Sequence, residues 1–219
     1  ENEFYGTIRP KRVIFPGERP LHALRERGVE YVEVRLMDLD PFEPVGINAQ
    51  TLRFLDVFLL HCLQSDSPPD TPQEIDELKH NQHLTAARGR EPGLTLLRSG
   101  EEIALTAWGA EIVAQCVPIA QALDAAHGTD AYSRAVADAR NKLTRPDELP
   151  SARVLQAITG EHNNAFVSFV RERSHLTQDH LLALPWSDAQ QARFQAMAAA
   201  SVEEQKKIEA SDSLPFDIY

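Results

Sequence analysis

At 219 residues the chain is long enough to bury a hydrophobic core of its own, and its 42% hydrophobic and 25% charged residues are typical of a globular domain. Asp and Glu number 33 against 22 Lys and Arg, which gives a formal net charge of −11. Such a charge repels phosphates and anionic lipid surfaces, so nucleic acids and membranes are excluded as expected partners. The most apolar stretch, residues 54–63, is too short to span a bilayer.

The first 47 residues have the composition of strands and loops. Residues 1–8 are predicted to be extended, and a short helix over residues 21–27 is predicted to end at Gly28. Residues 29–37 form the strongest predicted strand, because Val and Tyr are frequent there and apolar residues alternate with polar ones. One face of this strand, which we expect to lie in the core, carries Val32, Val34 and Leu36.

From residue 48 onward the pattern is mainly helical. Asn48 is predicted to cap a helix over residues 49–64, and Thr71 to cap one that ends at Gly89. A hairpin is predicted over residues 94–106 around Ser99 and Gly100. Further helices are predicted over residues 108–127 (interrupted or kinked at Pro118), 131–143, 152–158, 165–172 and 188–210. The predicted fold class is α+β, one domain with a sheet segment over 1–47 and a helical region over 48–219.

The other face of the predicted strand carries Glu33 beside Arg35. Residues two apart on a strand point the same way, so a carboxylate and a guanidinium project together. One interpretation is a solvated surface ion pair without a function. The other is a magnesium carboxylate beside a phosphate-binding arginine, since Mg²⁺ takes oxygen ligands and arginine grips phosphoryl oxygens in a bidentate fork.

A second candidate is the basic run of residues 9–12, with Arg9, Lys11 and Arg12 in an acidic chain. It is either a solvated turn or part of an anion site close to the same sheet face.

Two other groups of metal-binding or nucleophilic residues are set aside. His80 and His83 lie three apart on a predicted helix without a third ligand nearby, which is typical of surface histidines. Cys62 and Cys116 lie in apolar segments and are predicted to be buried free thiols. Free thiols, and the lack of an amino-terminal signal pattern, favour a reducing, cytoplasmic location.

Four segments in the first hundred residues resemble, in order, those of bacterial glutamate–cysteine ligases. They are residues 1–12, which include the runs ENEFY and IRPKR; residues 31–46, with YVEVR and PFEPVG; residues 53–56, RFLD; and residues 89–94, GREPGL. Four ordered matches are far more specific than any single short motif. The remaining half of the chain is compatible with the family in its helical character.

The resemblance implies part of a glutamine-synthetase-like antiparallel sheet with helices outside it. It also implies an enzyme that uses ATP and Mg²⁺ to phosphorylate the side-chain carboxylate of glutamate, after which the cysteine amine attacks to give gamma-glutamylcysteine, the first intermediate of glutathione synthesis. By position, Glu33 would be a magnesium ligand and Arg35 would contact the transferred phosphoryl group. Arg9 and Arg12 would contact the nucleotide, and Tyr5 would line the cysteine site.

The resemblance further implies that other parts of the site lie in an upstream half that this sequence lacks. One strand pair cannot form the whole sheet, so part of the core is expected to be exposed and the chain alone is expected to be inactive. Two alternatives stay open: another carboxylate–amine ligase on the same fold, and a non-catalytic helical interaction module that retains a remnant of the sheet.

Overall fold

Helices dominate the computed structural model, which describes residues 6–214 and residue 218. In chain order the elements are β1 (Ile8–Lys11), α1 (Pro20–Arg27), β2 (Tyr31–Val34), α2 (Ala49–Gln64), α3 (Pro72–Arg88), β3 (Thr95–Arg98), β4 (Glu101–Ala104), α4 (Leu105–His127), α5 (Ala131–Thr144), a 3₁₀ turn (Pro146–Glu148), α6 (Pro150–Gly160), α7 (Phe166–Leu182) and α8 (Asp188–Ser211). Short antiparallel strands and long helices confirm the predicted α+β class.

Helix boundaries follow capping residues that the sequence displays. The Asn48 side chain accepts a hydrogen bond from the Thr51 N–H at 2.9 Å, and the Thr71 hydroxyl accepts one from the Glu74 N–H at 3.2 Å. Each bond satisfies an amide that has no partner within its own helix. At the end of α4, Gly128 adopts a left-handed conformation with φ of 63°, which glycine adopts without steric cost. The hydrogen bonds at Asn48 and Thr71 confirm both predicted N-caps.

Two helices differ from the prediction in length or continuity. The helix α4 runs unbroken from Leu105 to His127 through Pro118, so the predicted interruption is wrong. The helix α7 extends ten residues beyond the predicted end, to Leu182. The polar run after residue 172 contains neither Gly nor Pro before Pro185, so nothing in it ends a helix.

The helices α2, α4 and α5 pack together around the main hydrophobic core. The buried members of this core are Val57, Val113, Cys116, Ala120 and Val136. Cys116 is a buried free thiol as predicted, whereas Cys62 is exposed, which corrects the prediction for that residue. Cys62 lies in the last turn of α2, where its neighbour Leu63 is exposed too.

The strands form two separate antiparallel pairs, β1 with β2 and β3 with β4. The second pair confirms the predicted hairpin, and its turn residues Ser99 and Gly100 both have positive φ, as in a type I′ turn. The first pair corrects one prediction, because Val32 and Leu36 are 43% and 55% exposed and do not lie in a core. Among the described residues no further strand joins this ribbon, and its apolar residues Ile8, Val32 and Leu36 are 39%, 43% and 55% exposed, as expected for an incomplete sheet.

The chain divides into two compact units, Glu1–Phe169 and Val170–Tyr219. The first contains both strand pairs and the core of α2, α4 and α5. In the second, α8 starts with a capping box between Ser187 and Gln190, and Trp186 stacks on Phe194 with ring centroids 5.2 Å apart. No helix in the described part of the chain is long and apolar enough to cross a membrane.

Candidate functional site

The antiparallel register of β1 and β2 places charged residues on one face of the ribbon. Arg9 lies directly opposite Glu33, and Lys11 lies opposite Tyr31. Directly opposed residues share a face, as do residues two apart on one strand. Arg35 continues this face just beyond the ladder, because its N–H donates to the Thr7 carbonyl at 2.8 Å. We call this set the charged sheet face; its members are Arg9, Lys11, Tyr31, Glu33 and Arg35.

Glu33 is the one carboxylate that the described residues place on the charged sheet face. Its Oε2 lies 3.4 Å from the Lys11 Nζ, and its Oε1 lies 3.3 Å from the Arg35 Nη1. Both separations are long for charge-assisted bonds, and the Glu33 and Arg35 side chains are 36% and 50% exposed. Pairs of this kind are weak, so a phosphate or a metal ion can exchange for them at little cost.

The charge of this face favours an anion. Three cations surround one carboxylate, so the face carries a local net charge of +2 in a chain whose net charge is −11. The Arg9 Nε donates to the Gly6 carbonyl at 3.3 Å, which holds the base of that side chain near the strand. A cluster of cations on one rigid strand pair is suited to a polyphosphate, whose charge is spread over several oxygens.

Arg12 does not belong to the charged sheet face. Its Nη1 donates to the Arg27 carbonyl at 2.9 Å, and its Nε lies 3.5 Å from the Glu30 Oε2. An odd spacing along a strand puts Arg9 and Arg12 on opposite sides, whereas an even spacing puts Arg9 and Lys11 together. Period two, applied to residues 9–12, therefore identifies Lys11 as the second cation of the face. Tyr5 lies outside the described residues.

The described residues contain few groups of side chains that could hold a metal ion. One group of three candidate ligands has its ligand atoms within 4.8 Å of one another, and it consists of Glu18, His22 and Glu26. Both Glu18 oxygens already accept bonds from Arg27, at 2.6 and 2.8 Å, which lowers the pKa of that carboxyl to about 2. Glu33 thus offers a single carboxylate, which fits the usual magnesium arrangement of one or two protein carboxylates plus phosphate oxygens and water.

The loop after β2 is anchored to α6. The Asp40 N–H donates to the Gly46 carbonyl at 2.8 Å and closes the loop. The Arg153 guanidinium stacks over the Phe42 ring at 4.0 Å and lies 3.9 Å from the Asp40 carboxylate. These contacts fix the segment that leaves the charged sheet face.

Comparison with known proteins finds matches to one family of enzymes. The family model for glutamate–cysteine ligase matches residues 1–85, the part that contains the charged sheet face. The glutamate–cysteine ligase of Alcanivorax borkumensis is 42% identical over 219 residues, all of this chain and 42% of that protein. The corresponding protein of Bordetella parapertussis is 44% identical over 221 residues and is covered to 42% of its length.

A solved structure agrees with the sequence relatives. The glutamate–cysteine ligase of Francisella tularensis, determined in complex with AMP, superposes with a TM-score of 0.86. The two chains are 31% identical, and the match covers 98% of this chain and 42% of the other.

These similarities relate the chain to a class of carbon–nitrogen ligases. Over its whole length it is similar to a carboxy-terminal part of the bacterial glutamate–cysteine ligases. The chain spans about two fifths of the length of the curated relatives it matches, 42% for the first of them.

Proposed function

We propose that this chain forms one wall of the active site of a ligase that joins glutamate to cysteine with ATP and Mg²⁺. The observation that carries the proposal is the charged sheet face, which lies within the family match and is rigidly held by β1 and β2. The match to a family member in complex with AMP supports a nucleotide as one ligand of the complete site.

The reaction consists of two transfers. The side-chain carboxylate of glutamate attacks the terminal phosphorus of ATP and forms an acyl phosphate, with ADP as the leaving group. The amine of cysteine then attacks the acyl carbon, forms the amide bond and releases phosphate. Both steps build negative charge on phosphoryl oxygens, so catalysis depends on positioned cations.

The residues of the charged sheet face take separate roles in this proposal. Arg35, at the exposed end of the face, contacts the transferred phosphoryl group through its planar guanidinium. Arg9 and Lys11 hold the remaining phosphates, and Glu33 holds Mg²⁺ against them. When bound, Mg²⁺ supplies positive charge to the phosphate oxygens and favours the ionised form of its carboxylate ligand. Tyr5 lines the cysteine site.

Arg12 remains a predicted nucleotide contact, but its geometry adds a condition. Its guanidinium has to leave the Arg27 carbonyl and Glu30 before it can reach a ligand on the other face. Lys11 already projects on the charged sheet face, opposite Tyr31. We therefore expect substitution of Lys11 to weaken ATP binding more than substitution of Arg12 does.

The exposed apolar residues of the ribbon formed by β1 and β2 lead to a proposal about what covers them. Ile8 and Val32 lie across the ribbon from the charged sheet face and are 39% and 43% exposed. The relatives contain more than twice the length of this chain, which covers 42% of the first of them. We propose that the part of the family fold upstream of the matched region covers this apolar face and supplies the remaining metal ligands.

The test is ATP turnover with glutamate and cysteine by the complete enzyme that contains this chain. Arg35→Ala is expected to lower turnover by about 10³-fold or more, the usual effect of removing an arginine that contacts the transferring phosphoryl group. Glu33→Gln is expected to raise the Mg²⁺ concentration needed for half-maximal rate, because it removes a charged ligand but keeps the side-chain shape.

Matched controls are available on the surface. Arg134→Ala removes an arginine whose side chain is 62% exposed, and Glu203→Gln a carboxylate that is 64% exposed. Both controls are expected to leave turnover unchanged. Wild-type turnover in Arg35→Ala would remove the basis for the assignment, and turnover with an amine other than cysteine would point to the related ligase alternative.

A further inference from the structure

A second cavity lies away from the charged sheet face, where α3 meets the β3–β4 hairpin and the start of α4. Its volume is about 430 Å³, enough for a small organic molecule. Its apolar wall consists of Leu78, Leu97 and Trp108, and its polar lining includes Gln73, Glu77 and Arg98. We call it the α3–hairpin pocket.

Glu77 is the unusual residue of this pocket, because it is a carboxylate only 9% exposed. Its Oε1 accepts two hydrogen bonds, from the Gln73 Nε2 at 2.8 Å and from the Gly100 N–H at 2.9 Å. No ion pair to Glu77 is found among the residues that the structure describes. A buried carboxylate without a cation is costly, since hydration is lost and no opposite charge replaces it.

The second oxygen of Glu77 has no hydrogen-bond donor among the described residues. Within the described part of the chain, Oε2 accepts no hydrogen bond, yet the one buried side-chain atom without a partner is the Gln50 Oε1. The Glu77 Oε2 therefore keeps some contact with solvent, and Glu77 is one of the residues that line the cavity.

Arg98 does not serve as the missing counter-ion. Its Nη1 lies 2.7 Å from the Glu111 Oε2, and its guanidinium lies over the Trp108 ring at 5.5 Å. The arginine is thus committed to the hairpin surface, while Glu74 adds a second carboxylate to the pocket lining. The free functional groups of the pocket are a buried acceptor with a negative charge and an apolar wall.

We propose that the α3–hairpin pocket binds a small organic ammonium ion. The ammonium group donates to the Glu77 Oε2, and a short apolar body packs on Leu78, Leu97 and Trp108. An ammonium ion provides the charge that this carboxylate lacks, and it presents three donors in a compact head. The pocket shares no residue with the charged sheet face.

The experiment titrates the enzyme containing this chain with n-butylammonium and follows tryptophan fluorescence. The chain has two tryptophans, and the part of the fluorescence change that is lost in Trp108→Phe is the signal from the pocket. Saturable binding is expected with a Kd of about 1–10 mM, the range open to a ligand with few heavy atoms. The neutral analogue n-butanol, with the same number of heavy atoms, is expected to bind at least about tenfold more weakly because it cannot form a charge-assisted bond.

The matched variant is Glu77→Gln, which keeps an oxygen for the Gln73 and Gly100 donors and removes the charge. We expect it to bind n-butylammonium at least about tenfold more weakly, while Glu203→Gln on the surface leaves binding unchanged. No saturable signal, equal affinity in Glu77→Gln, or equal affinity for n-butanol would each overturn the proposal. The comparison of the two ligands decides the question in the protein with Glu77 intact, even where the variant does not fold.

Discussion

Asn81 holds the β3–β4 hairpin on α3 through two hydrogen bonds to a single residue. Its Nδ2 donates to the Leu97 carbonyl at 2.7 Å, and its Oδ1 accepts from the Leu97 N–H at 2.9 Å. In an antiparallel pair every second residue turns its amide and carbonyl away from the partner strand, and the Asn81 amide group satisfies both. Asn81 is only 6% exposed, so water cannot easily replace it.

The substitution Asn81→Ala removes both bonds and leaves the Leu97 amide and carbonyl without partners. Each lost bond costs about 1 kcal/mol, and burial of the unpaired backbone groups adds about 1–3 kcal/mol, against about 0.5 kcal/mol gained from the helix propensity of alanine. We expect the free energy of unfolding to fall by about 2.5–4.5 kcal/mol, and Tm to fall by about 5–18 °C.

The assay is urea unfolding followed by far-ultraviolet circular dichroism, with the free energy extrapolated to zero urea. The control is Gln82→Ala, the adjacent residue on the exposed side of α3, which is expected to change stability by less than about 0.5 kcal/mol. If Asn81→Ala matches this control, the two hydrogen bonds do not hold the hairpin and the reasoning fails.

Two further predictions concern the core and acid stability. Val57 is fully buried in the main core, and Val57→Ala removes two methyl groups and leaves a cavity. We expect this variant to lower the free energy of unfolding in urea by about 2 kcal/mol. The control Val167→Ala, at a position on α7 that is 67% exposed, should be neutral or slightly stabilising. Hydrogen bonds from Arg27 lower the pKa of Glu18 from 4.5 to about 2, so the stability it contributes is present above pH 4.5 and lost as pH falls towards 2. Glu18→Gln should therefore flatten the acid limb of a pH–Tm curve between those values, and an unchanged limb would contradict this origin of the acid sensitivity.

Most helices were predictable because their signals are local. Asn48 and Thr71 stand just before apolar periodic runs, and Gly89 and Gly128 follow directly after them. Capping bonds join residues three apart, so the sequence contains all the information that sets these boundaries. The hairpin at Ser99 and Gly100 was predictable for the same reason.

The features that the sequence did not predict depend on packing between residues far apart in the chain. Alternation in β2 showed that Val32 and Glu33 face opposite ways, but not whether another layer covers Val32. The exposure of Cys62 likewise depends on where α2 extends past the helices it packs on. The wrong grouping of Arg12 has a different cause. Residues 9–12 form one basic run in the sequence, but successive side chains of a strand point to opposite faces, so Arg9 and Arg12 lie on different sides. The carboxylate of Glu77 gave no signal in the sequence, because its burial results from contact with a hairpin 23 residues away.

The corner between α4 and α5 has a consequence for how the chain folds. Asp124, near the end of α4, accepts hydrogen bonds from the Tyr132 and Ser133 amides at 2.9 Å each, and the turn at Gly128 lies between them. These contacts join residues only eight or nine apart, so the entropy lost in closing the loop is small. We expect the α4–α5 pair to form early and to act as the folding nucleus onto which α2 docks, while the more distant pairing of β1 with β2 forms later.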